Sequence, residues 1–198
     1  MTDLLIATNN RGKLHEFEQL LTGLTVSLRD LSYFGVNVEL RETGSTFEEN
    51  AAIKASGYAR LANSPALADD SGLVIDHLNG APGVRSARYA GISATDRDRI
   101  EKVLSEMSET TERSARFVCV TAFADQDGNL LRSTTGICEG TIAVKQYGKN
   151  GFGYDPIFVP NGFDNTFAEL TAEVKQKISH RALAVAKIIP FLHGFFKL

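Results

Sequence analysis

The spacing of apolar positions at the start of the chain predicts a strand, a helix and a second strand. Residues 4–7 form a short apolar run that stops at a polar turn, which is typical of a buried strand. Apolar side chains then recur at helical spacing, at Leu14, Phe17, Leu20 and Leu21. Gly23 ends this helix, and residues 25–28 indicate the next strand. A strand–helix–strand order is the signature of an α/β protein.

The next segment combines a capped helix with an acidic stretch. Thr46 followed by Glu49 is a capping box, so a helix is predicted from there to about Asn63, where Pro65 prevents its continuation. Residues 65–68 read as a strand that enters the acidic turn Asp69-Asp70-Ser71-Gly72, and residues 73–75 continue as extended chain. Thr95 and Asp98 predict a second capping box and a further helix.

The second half of the chain is richer in β-forming residues. Residues 117–124 and 130–142 predict two strands, joined by the turn Asp127-Gly128-Asn129 as an antiparallel hairpin. A Gly-rich stretch at residues 148–153 precedes a strand at 156–159. The end is helical over residues 180–192, with Ser179 as its N-cap. Residues 1–198 are expected to form one domain with two lobes.

Composition and charge exclude several classes of protein. The net charge is −3 and no block of Lys or Arg occurs, which argues against binding to polymeric nucleic acid but not to a single nucleotide. The longest apolar stretch, residues 188–196, is too short to span a bilayer, and no export signal opens the chain. Cys119 and Cys138 lack metal-ligand spacing and are expected to be reduced core residues. We therefore expect a cytoplasmic protein without a membrane partner.

The first candidate site is the polar turn between the first strand and the first helix. A helix N-terminus favours an anion because its backbone N–H groups and its dipole point toward it. This turn adds a lysine and neutral donors, and its residues are Thr8, Asn9, Asn10, Arg11, Gly12 and Lys13. It is not a P-loop, because the first glycine is missing and no Ser or Thr follows the lysine. Phosphate binding and a polar turn without function both remain open.

Asp69 and Asp70 form the second candidate site. Two unit charges about 4 Å apart interact by about 4 kcal/mol at an effective dielectric constant of about 20, so adjacent carboxylates need compensation. A divalent cation is the simplest compensation, because oxygen-rich sites select magnesium or calcium. If the stretch is extended, the two side chains point to opposite faces, and one makes structural hydrogen bonds while the other faces the site. An ordinary Asx-type turn with Gly72 is the alternative.

Charged residues near the capped helix form the third candidate. Glu42 precedes the helix, Glu49 lies at its start and Lys54 lies about two turns in. A surface ion pair is the usual explanation for such charges.

The last two candidates combine aromatic and cationic residues. Residues 151–155 place two glycines around an aromatic ring, which suits stacking on a flat base, although a Gly-rich hairpin corner is the alternative. Lys175 is followed by His180 and Arg181 at the start of the last helix. Cations in a first helical turn oppose the helix dipole, so an anionic ligand or a hydrogen-bond acceptor is expected there.

Five ordered motifs give the chain its family resemblance. They are T-N-N-x-G-K at residues 8–13, E-T-G-x-T-F-x-E-N-A at 42–51, A-D-D-S-G-L at 68–73, G-F-G-Y-D-P-I-F at 151–158 and K-x-x-I-S-H-R at 175–181. Together they resemble the inosine/xanthosine triphosphate pyrophosphatase family, and the resemblance spans almost the whole chain. One departure is Asn9, where glycine is frequent in the family.

The resemblance implies a fold, an activity and a set of roles. The fold is α/β, a long central mixed sheet with two α/β lobes and a cleft between them, usually as a homodimer. The activity is Mg²⁺-dependent hydrolysis of ITP, dITP and XTP to the monophosphate and pyrophosphate. Residues 8–13 hold the triphosphate, with Ser71 and Lys54 by the phosphates; Glu42 and Asp70 hold Mg²⁺, and Asp70 is also the base that activates water.

For the base, the resemblance implies residues that form a wall around it and residues that recognise its 6-oxo edge. The wall comprises Phe152, Gly153, Tyr154 and Asp155, and the 6-oxo edge is read by Lys175, His180 and Arg181. Two alternatives remain open at this stage: a nucleotide-binding protein without catalysis, and a hydrolase acting on modified pyrimidine triphosphates.

Overall fold

A computed structural model describes residues 2–197, and within them the chain forms a six-stranded sheet with order β2-β1-β3-β4-β5-β6. The strands are Asp3–Ile6 (β1), Ser27–Arg29 (β2), Ala66–Ile75 (β3), Ser114–Ala124 (β4), Leu130–Ile142 (β5) and Phe158–Pro160 (β6). Strand β1 pairs in parallel with β2 and β3, whereas β5 and β6 pair antiparallel. The predicted α/β fold with a mixed sheet is confirmed.

Helices occupy the remaining regular segments. The α-helices are Arg11–Leu20 (α1), Phe47–Ala62 (α2), Asp96–Glu106 (α3), Ala172–Ile178 (α4) and His180–Phe196 (α5). Short 3₁₀-helices cover Gly83–Arg88 and Asp155–Ile157. Among residues 2–197, no helix is both long and apolar enough to cross a membrane.

The chain divides into two compact units. The first contains the residues up to Asp70, then Cys119–Gly136 and the chain from Arg181 onward; the second contains Ser71–Val118 and Ile137–His180. Strands β3, β4 and β5 each contribute residues to both units. The single domain with two lobes and a cleft stays a prediction.

The core of the first unit follows the alternation of strand residues. Leu5 of β1 packs with buried residues of α2, whereas its neighbours Leu4 and Ile6 pack with residues of α1 and α5. Successive strand residues point to opposite faces of a sheet. Helix α2 therefore covers one face of β1, and α1 and α5 cover the other.

The second unit has its own apolar core. Leu73 and Ile75 of β3 pack with the apolar face of α3 and with three aromatic rings, those of Phe117, Phe158 and Phe167. The centroids of the Phe117 and Phe158 rings are 4.6 Å apart. This core holds the segments before and after β6 against α3.

Both capping boxes are confirmed. The hydroxyl of Thr46 accepts the N–H of Glu49, whose carboxylate accepts the N–H of Thr46 in return. Thr95 and Asp98 make the same exchange at the start of α3. These exchanges satisfy N–H groups that the helices leave without partners.

The predicted acidic turn is wrong. Residues 69–72 lie inside the continuous strand β3, which runs from Ala66 to Ile75 without a break. Two aspartates before a glycine favour a turn locally, but β3 is paired within the sheet and buried along most of its length. The extended alternative, in which Asp69 and Asp70 point to opposite faces, is therefore the correct one.

Smaller differences occur at the ends of other elements. Strand β2 lies at Ser27–Arg29 instead of residues 25–28, and Pro156 belongs to a 3₁₀-helix ahead of β6. Helix α4 had no clear sequence signal, and α5 extends to Phe196 despite Pro190 in its interior.

Candidate active site

The first predicted site residues lie at the start of α1. The side chain of Asn10 caps this helix by accepting the N–H of Lys13 at 3.0 Å, and the hydroxyl of Thr8 accepts the N–H of Asn10 at 3.1 Å. Asn9 and Arg11 are exposed, and Gly12 lies beside Arg11 in the first turn. The turn thus ends in a helix N-terminus, as the sequence predicts, and phosphate binding there stays a prediction.

Strand alternation separates Asp69 from Asp70. Leu67 packs with α1 and α5, so Asp69, two residues on, faces the same side. Ala68 packs with α2, and Asp70 therefore faces α2.

Asp69 is buried between cations. Both of its carboxylate oxygens lie 3.1 Å from Nζ of Lys13. Oδ2 also accepts hydrogen bonds from Nη2 and Nε of Arg181, at 3.0 and 3.3 Å. Arg181 pairs in turn with Glu16, and the Cys119 thiol lies 3.7 Å from Oδ2. Burial by itself would raise the pKa of Asp69, but the charges of Lys13 and Arg181 outweigh it and hold that pKa below its usual range. We call Lys13, Glu16, Asp69 and Arg181 the Asp69 cluster.

Asp70 belongs to a second group, with one lysine between two carboxylates. The Lys54 ammonium lies 2.9 Å from Glu42 Oε1 and 2.9 Å from Asp70 Oδ1. The buried amide of Asn50 donates to Asp70 Oδ2 at 3.4 Å and accepts the N–H of Gly44 at 2.8 Å. We call Glu42, Asn50, Lys54 and Asp70 the Asp70 cluster. Lys54 is 11% and Glu42 26% exposed, so this ion pair is partly buried and not a surface pair, whereas Glu49 is exposed and bonds within the capping-box segment.

Burial and neighbouring charges act in opposite directions on the pKa values of Asp70 and Lys54. Burial raises the pKa of Asp70 above that of an ordinary carboxyl group, and the nearby Lys54 charge opposes this rise only in part. Burial would lower the pKa of Lys54, but the charges of Asp70, Asp69 and Glu42 outweigh it and raise that pKa. Lys54 therefore stays charged, while Asp70 is the carboxylate whose ionisation is disfavoured.

The two clusters together carry an excess of negative charge. Four carboxylates, those of Glu16, Glu42, Asp69 and Asp70, face three cations, those of Lys13, Lys54 and Arg181. Among residues 2–197, no three His, Cys, Asp or Glu side chains are grouped to hold a metal. Magnesium often takes only one or two protein carboxylates and completes its shell with water and substrate phosphates. Glu42 and Asp70, which already share one cation, fit that donor set.

The second unit contains residues 151–155, which we call the aromatic loop. Asp155 Oδ2 accepts the N–H of Phe152 at 2.9 Å and the Lys175 ammonium at 2.6 Å. The same ammonium lies 4.9 Å from the centroid of the Phe152 ring. Gly151 has φ +75°, and a Cβ there would lie 2.0 Å from Asp155 Oδ2. Asp155 thus closes the loop by bonding the backbone of Phe152, and only glycine fits at position 151 next to its carboxylate.

Two further predicted base contacts lie in the core of the second unit. The buried Tyr154 donates its hydroxyl to the Ser86 carbonyl at 2.9 Å, and burial raises its pKa. The His180 ring stacks on Phe117, with centroids 4.6 Å apart and planes 11° apart. The roles of Tyr154, His180 and Arg181 at the base stay predictions, as does that of the half-buried Ser71 in β3.

Two residues of the clusters escaped the sequence reasoning. Asn50 lies four residues before Lys54 on α2, a spacing that places both on one helix face, so a signal was available. Glu16 lies three residues after Lys13 on α1, but its partner Arg181 is 165 positions away in the chain. No local pattern connects residues at that separation.

The chain is similar to known proteins over almost its full length. The model of the Ham1 family matches residues 4–191. A dITP/XTP pyrophosphatase of Oceanobacillus iheyensis is 48% identical over 198 residues, covering 98% of this chain and 99% of that protein. One of Bacillus subtilis is 47% identical over 196 residues, covering 98% of each chain. The structure of a HAM1 protein from Coxiella burnetii has a TM-score of 0.89 and 44% identity, covering 98% of this chain and 100% of that one.

Proposed function

The chain belongs to the Ham1 family, and on this premise we propose that it hydrolyses non-standard purine nucleoside triphosphates. The substrates are ITP, dITP and XTP, and the products are the nucleoside monophosphate and pyrophosphate. Relatives at 48% and 47% identity bear the name dITP/XTP pyrophosphatase, which supports this substrate class. The reaction removes these nucleotides from the cellular pool.

The observation that carries the proposal is the Lys54 ammonium shared between Glu42 and Asp70, each at 2.9 Å. Two carboxylates that converge on one cation, in a region with excess negative charge, suit the cation of a nucleotide site. We propose Mg²⁺ as the cofactor, with Glu42 and Asp70 holding it. When bound, Mg²⁺ neutralises charge on the triphosphate and lowers the pKa of water.

The proton transfer falls to Asp70. Its carboxylate accepts a proton from the attacking water, a new bond forms between that oxygen and the α-phosphorus, and the bond from the α-phosphorus to the bridging oxygen breaks. Pyrophosphate leaves with the electron pair of that bond. A buried carboxyl group with a raised pKa binds the proton more readily than an exposed one, which suits a general base.

The cations Lys54 and Lys13 suit the phosphates. Lys54 is charged and touches Asp70, so it can hold a phosphate oxygen next to the base. Lys13 lies on the first turn of α1, and the N-terminus of a helix also favours an anion. Asp69 fixes the position of the Lys13 ammonium before any substrate arrives.

Base selection is proposed for Phe152 and Lys175. The Phe152 ring offers a stacking surface, and Lys175, held by Asp155, offers N–H donors to an oxygen at position 6. A 6-amino group would present hydrogens to that ammonium, so the N–H that bonds an oxygen at position 6 would face a donor instead, while the bond to Asp155 stays in place; such a mismatch is costly where water is excluded. ATP is therefore a poor substrate.

Pyrophosphate release from a panel of nucleotides tests the function. The panel contains ITP, dITP, XTP, ATP and dUTP, each with Mg²⁺ and with a chelator, and both pyrophosphate and orthophosphate are measured. We expect pyrophosphate from the three 6-oxopurine substrates and none with the chelator. Orthophosphate as the product, or equal rates on ATP, would refute the proposal; binding without any product would indicate a nucleotide-binding protein.

The assembly and location are proposed with the activity. We propose a homodimer in the cytoplasm whose partners are purine nucleoside triphosphates, with no role for polymeric nucleic acid or membranes. The net charge of −3 supports the absence of a nucleic-acid partner. Sedimentation velocity tests the dimer, since a single species of monomer mass would refute it.

A further inference from the structure

Asp96 connects helix α3 to the aromatic loop. Its Oδ2 accepts the backbone N–H of Gly153 at 2.7 Å, while its Oδ1 pairs with the guanidinium of Arg99 one turn along the helix. The two carboxylate oxygens thus have different partners. The loop is bound to this helix through the amide that directly follows Phe152.

Arg99 is itself held in place. Its Nη1 donates to the carbonyl of Ala87 at 2.6 Å and to that of Ala94 at 2.8 Å. Its side chain is only 17% exposed. Because a guanidinium is planar and rigid, these contacts leave Nη2 directed at Asp96.

A second connection joins the loop to the same segment. Ala87 lies in the 3₁₀-helix Gly83–Arg88, and the carbonyl of the preceding residue, Ser86, accepts the Tyr154 hydroxyl at 2.9 Å. The Ser86 hydroxyl accepts the N–H of Leu73 at 2.9 Å. Two consecutive loop residues, Gly153 and Tyr154, are therefore hydrogen-bonded to the segment 83–88, the first through Asp96 and Arg99 and the second directly.

The capping box of α3 does not include Asp96, which lies in the first turn and pairs there with Arg99. Thr95 and Asp98 form the capping box, so the helix has its N-cap without the Asp96 side chain. The contact between Asp96 and Gly153 is therefore separate from the capping box. On this helical turn, Asp98 belongs to the capping box and Asp96 bonds Gly153 of the aromatic loop.

We propose that Asp96 is a positioning residue for base recognition, held by Arg99. By fixing the Gly153 amide, it sets the direction of the Phe152 ring, on which the purine base stacks. The inference rests on the proposed function, since it concerns the same base-binding loop. Asp96 does not touch the substrate and acts through residues 152 and 153.

The variant Asp96→Ala tests this role, and Asp98→Ala is its matched control on the same helical turn. Steady-state kinetics with ITP and with ATP are measured for both, together with Tm. For Asp96→Ala we expect KM for ITP to rise roughly tenfold with kcat changed by less than about twofold, because lost positioning weakens binding of the base in ground and transition states alike. Asp98→Ala is expected to lower Tm and leave KM within about twofold of wild type.

Asp96→Asn separates positioning from stability. Its amide oxygen can still accept the Gly153 N–H, so KM is expected to lie between those of wild type and Asp96→Ala. An unchanged KM in Asp96→Ala, an equal rise in Asp98→Ala, or no recovery in Asp96→Asn would each overturn the inference while the proposed function stands. A wild-type protein that releases no pyrophosphate from ITP would overturn both.

Discussion

Asp69 and Asp70 are adjacent in β3, yet they lie on opposite faces of the strand in opposite electrostatic environments. Asp69 is held by Lys13 and Arg181, which keep its pKa low despite complete burial. Asp70 meets Lys54, which it shares with Glu42, and burial keeps its pKa high. One carboxylate is therefore a fixed structural anion, and the other is poised to accept a proton.

Replacement of the proposed base should abolish turnover without unfolding the protein. For Asp70→Asn we expect kcat for ITP to fall by about 10²–10⁴-fold, the typical contribution of a general base. Pyrophosphate release and circular dichroism measure the two effects. Asp127→Asn, on an exposed hairpin turn, is the control and should retain wild-type rates. Wild-type turnover by Asp70→Asn would remove this residue from the mechanism.

The same variant should be more stable than wild type when metal and nucleotide are absent. Because the folded-state pKa of Asp70 lies above its unfolded value of about 3.9, ionised Asp70 costs stability above the folded pKa. That cost disappears as the pH falls through the folded pKa toward the unfolded one. Urea unfolding with a chelator should therefore show a gain for Asp70→Asn at neutral pH that shrinks in acid. A less stable variant at neutral pH would contradict the sign of the shift.

Loss of the buried Asp69 charge should destabilise the protein strongly. Asp69→Asn leaves Lys13 and Arg181 without their shared counter-ion, so the free energy of unfolding should fall by about 3–5 kcal/mol. The comparison is Asp3→Asn, which breaks the more exposed pair with Arg29 and should lower the free energy of unfolding much less than Asp69→Asn does. Denaturant unfolding measures the free energy of unfolding of both variants. Equal losses would contradict the expected stabilisation by the buried Asp69 charge.

The Asp69 effect should depend on pH with a definite sign. The folded-state pKa of Asp69 is lowered, so its stabilisation is present above the unfolded pKa of about 3.9 and is lost as the pH falls toward the folded pKa. The stability gap between wild type and Asp69→Asn should stay constant near neutrality and narrow only in strong acid. If the difference in stability between wild type and Asp69→Asn narrowed near neutral pH, the pH dependence would belong to another titrating group.

Lys175 should carry selectivity for the base. Lys175→Met removes the donor that Asp155 holds, so kcat/KM for ITP should fall roughly 10–100-fold while the low activity on ATP changes little. Lys177→Met alters an exposed lysine of the same helix and should behave like wild type. Proportional losses on ITP and ATP in Lys175→Met would assign this lysine to the loop structure instead of base selection.

Gly151 should be required for closure of the aromatic loop. Alanine at this position places Cβ on the carboxylate of Asp155 and adopts a left-handed conformation, whereas Gly162→Ala shares only the left-handed strain. Both variants should lose about 1–2 kcal/mol of stability from backbone strain. Only Gly151→Ala should also raise KM for ITP. An equal KM in both variants would refute a role for Gly151 in closing the aromatic loop.

Local patterns predicted much of the fold. Both capping boxes formed as predicted because their hydrogen bonds link residues three apart, and β5 has the predicted bounds of Leu130–Ile142. The hairpin turn is also observed, with the N–H of Asp125 donating to the carbonyl of Asn129 at 3.1 Å. Elements stabilised by neighbours in the chain can be read from one sequence.

The acidic stretch shows where local patterns fail. Asp69-Asp70-Ser71-Gly72 has the composition of a turn, but the sheet extends it, and cations from other elements compensate the two buried charges. The sequence indicated that an extended strand would split the pair, although it could not choose between a strand and a turn. Tertiary context overrides turn propensity when burial and strand pairing stabilise more than the local conformation does.

The family, the capped helices and the residue types at the site could be read from the chain alone, because they lie in contiguous motifs. Which charges meet depends on how the folded chain packs. Asp69 and Arg181 are 112 residues apart and contact each other because α5 packs on the face of the sheet to which Asp69 points. Asp70 faces α2 instead, where Lys54 and Asn50 lie one helical turn apart. Strand alternation assigned the two carboxylates to different helices, and packing supplied their partners.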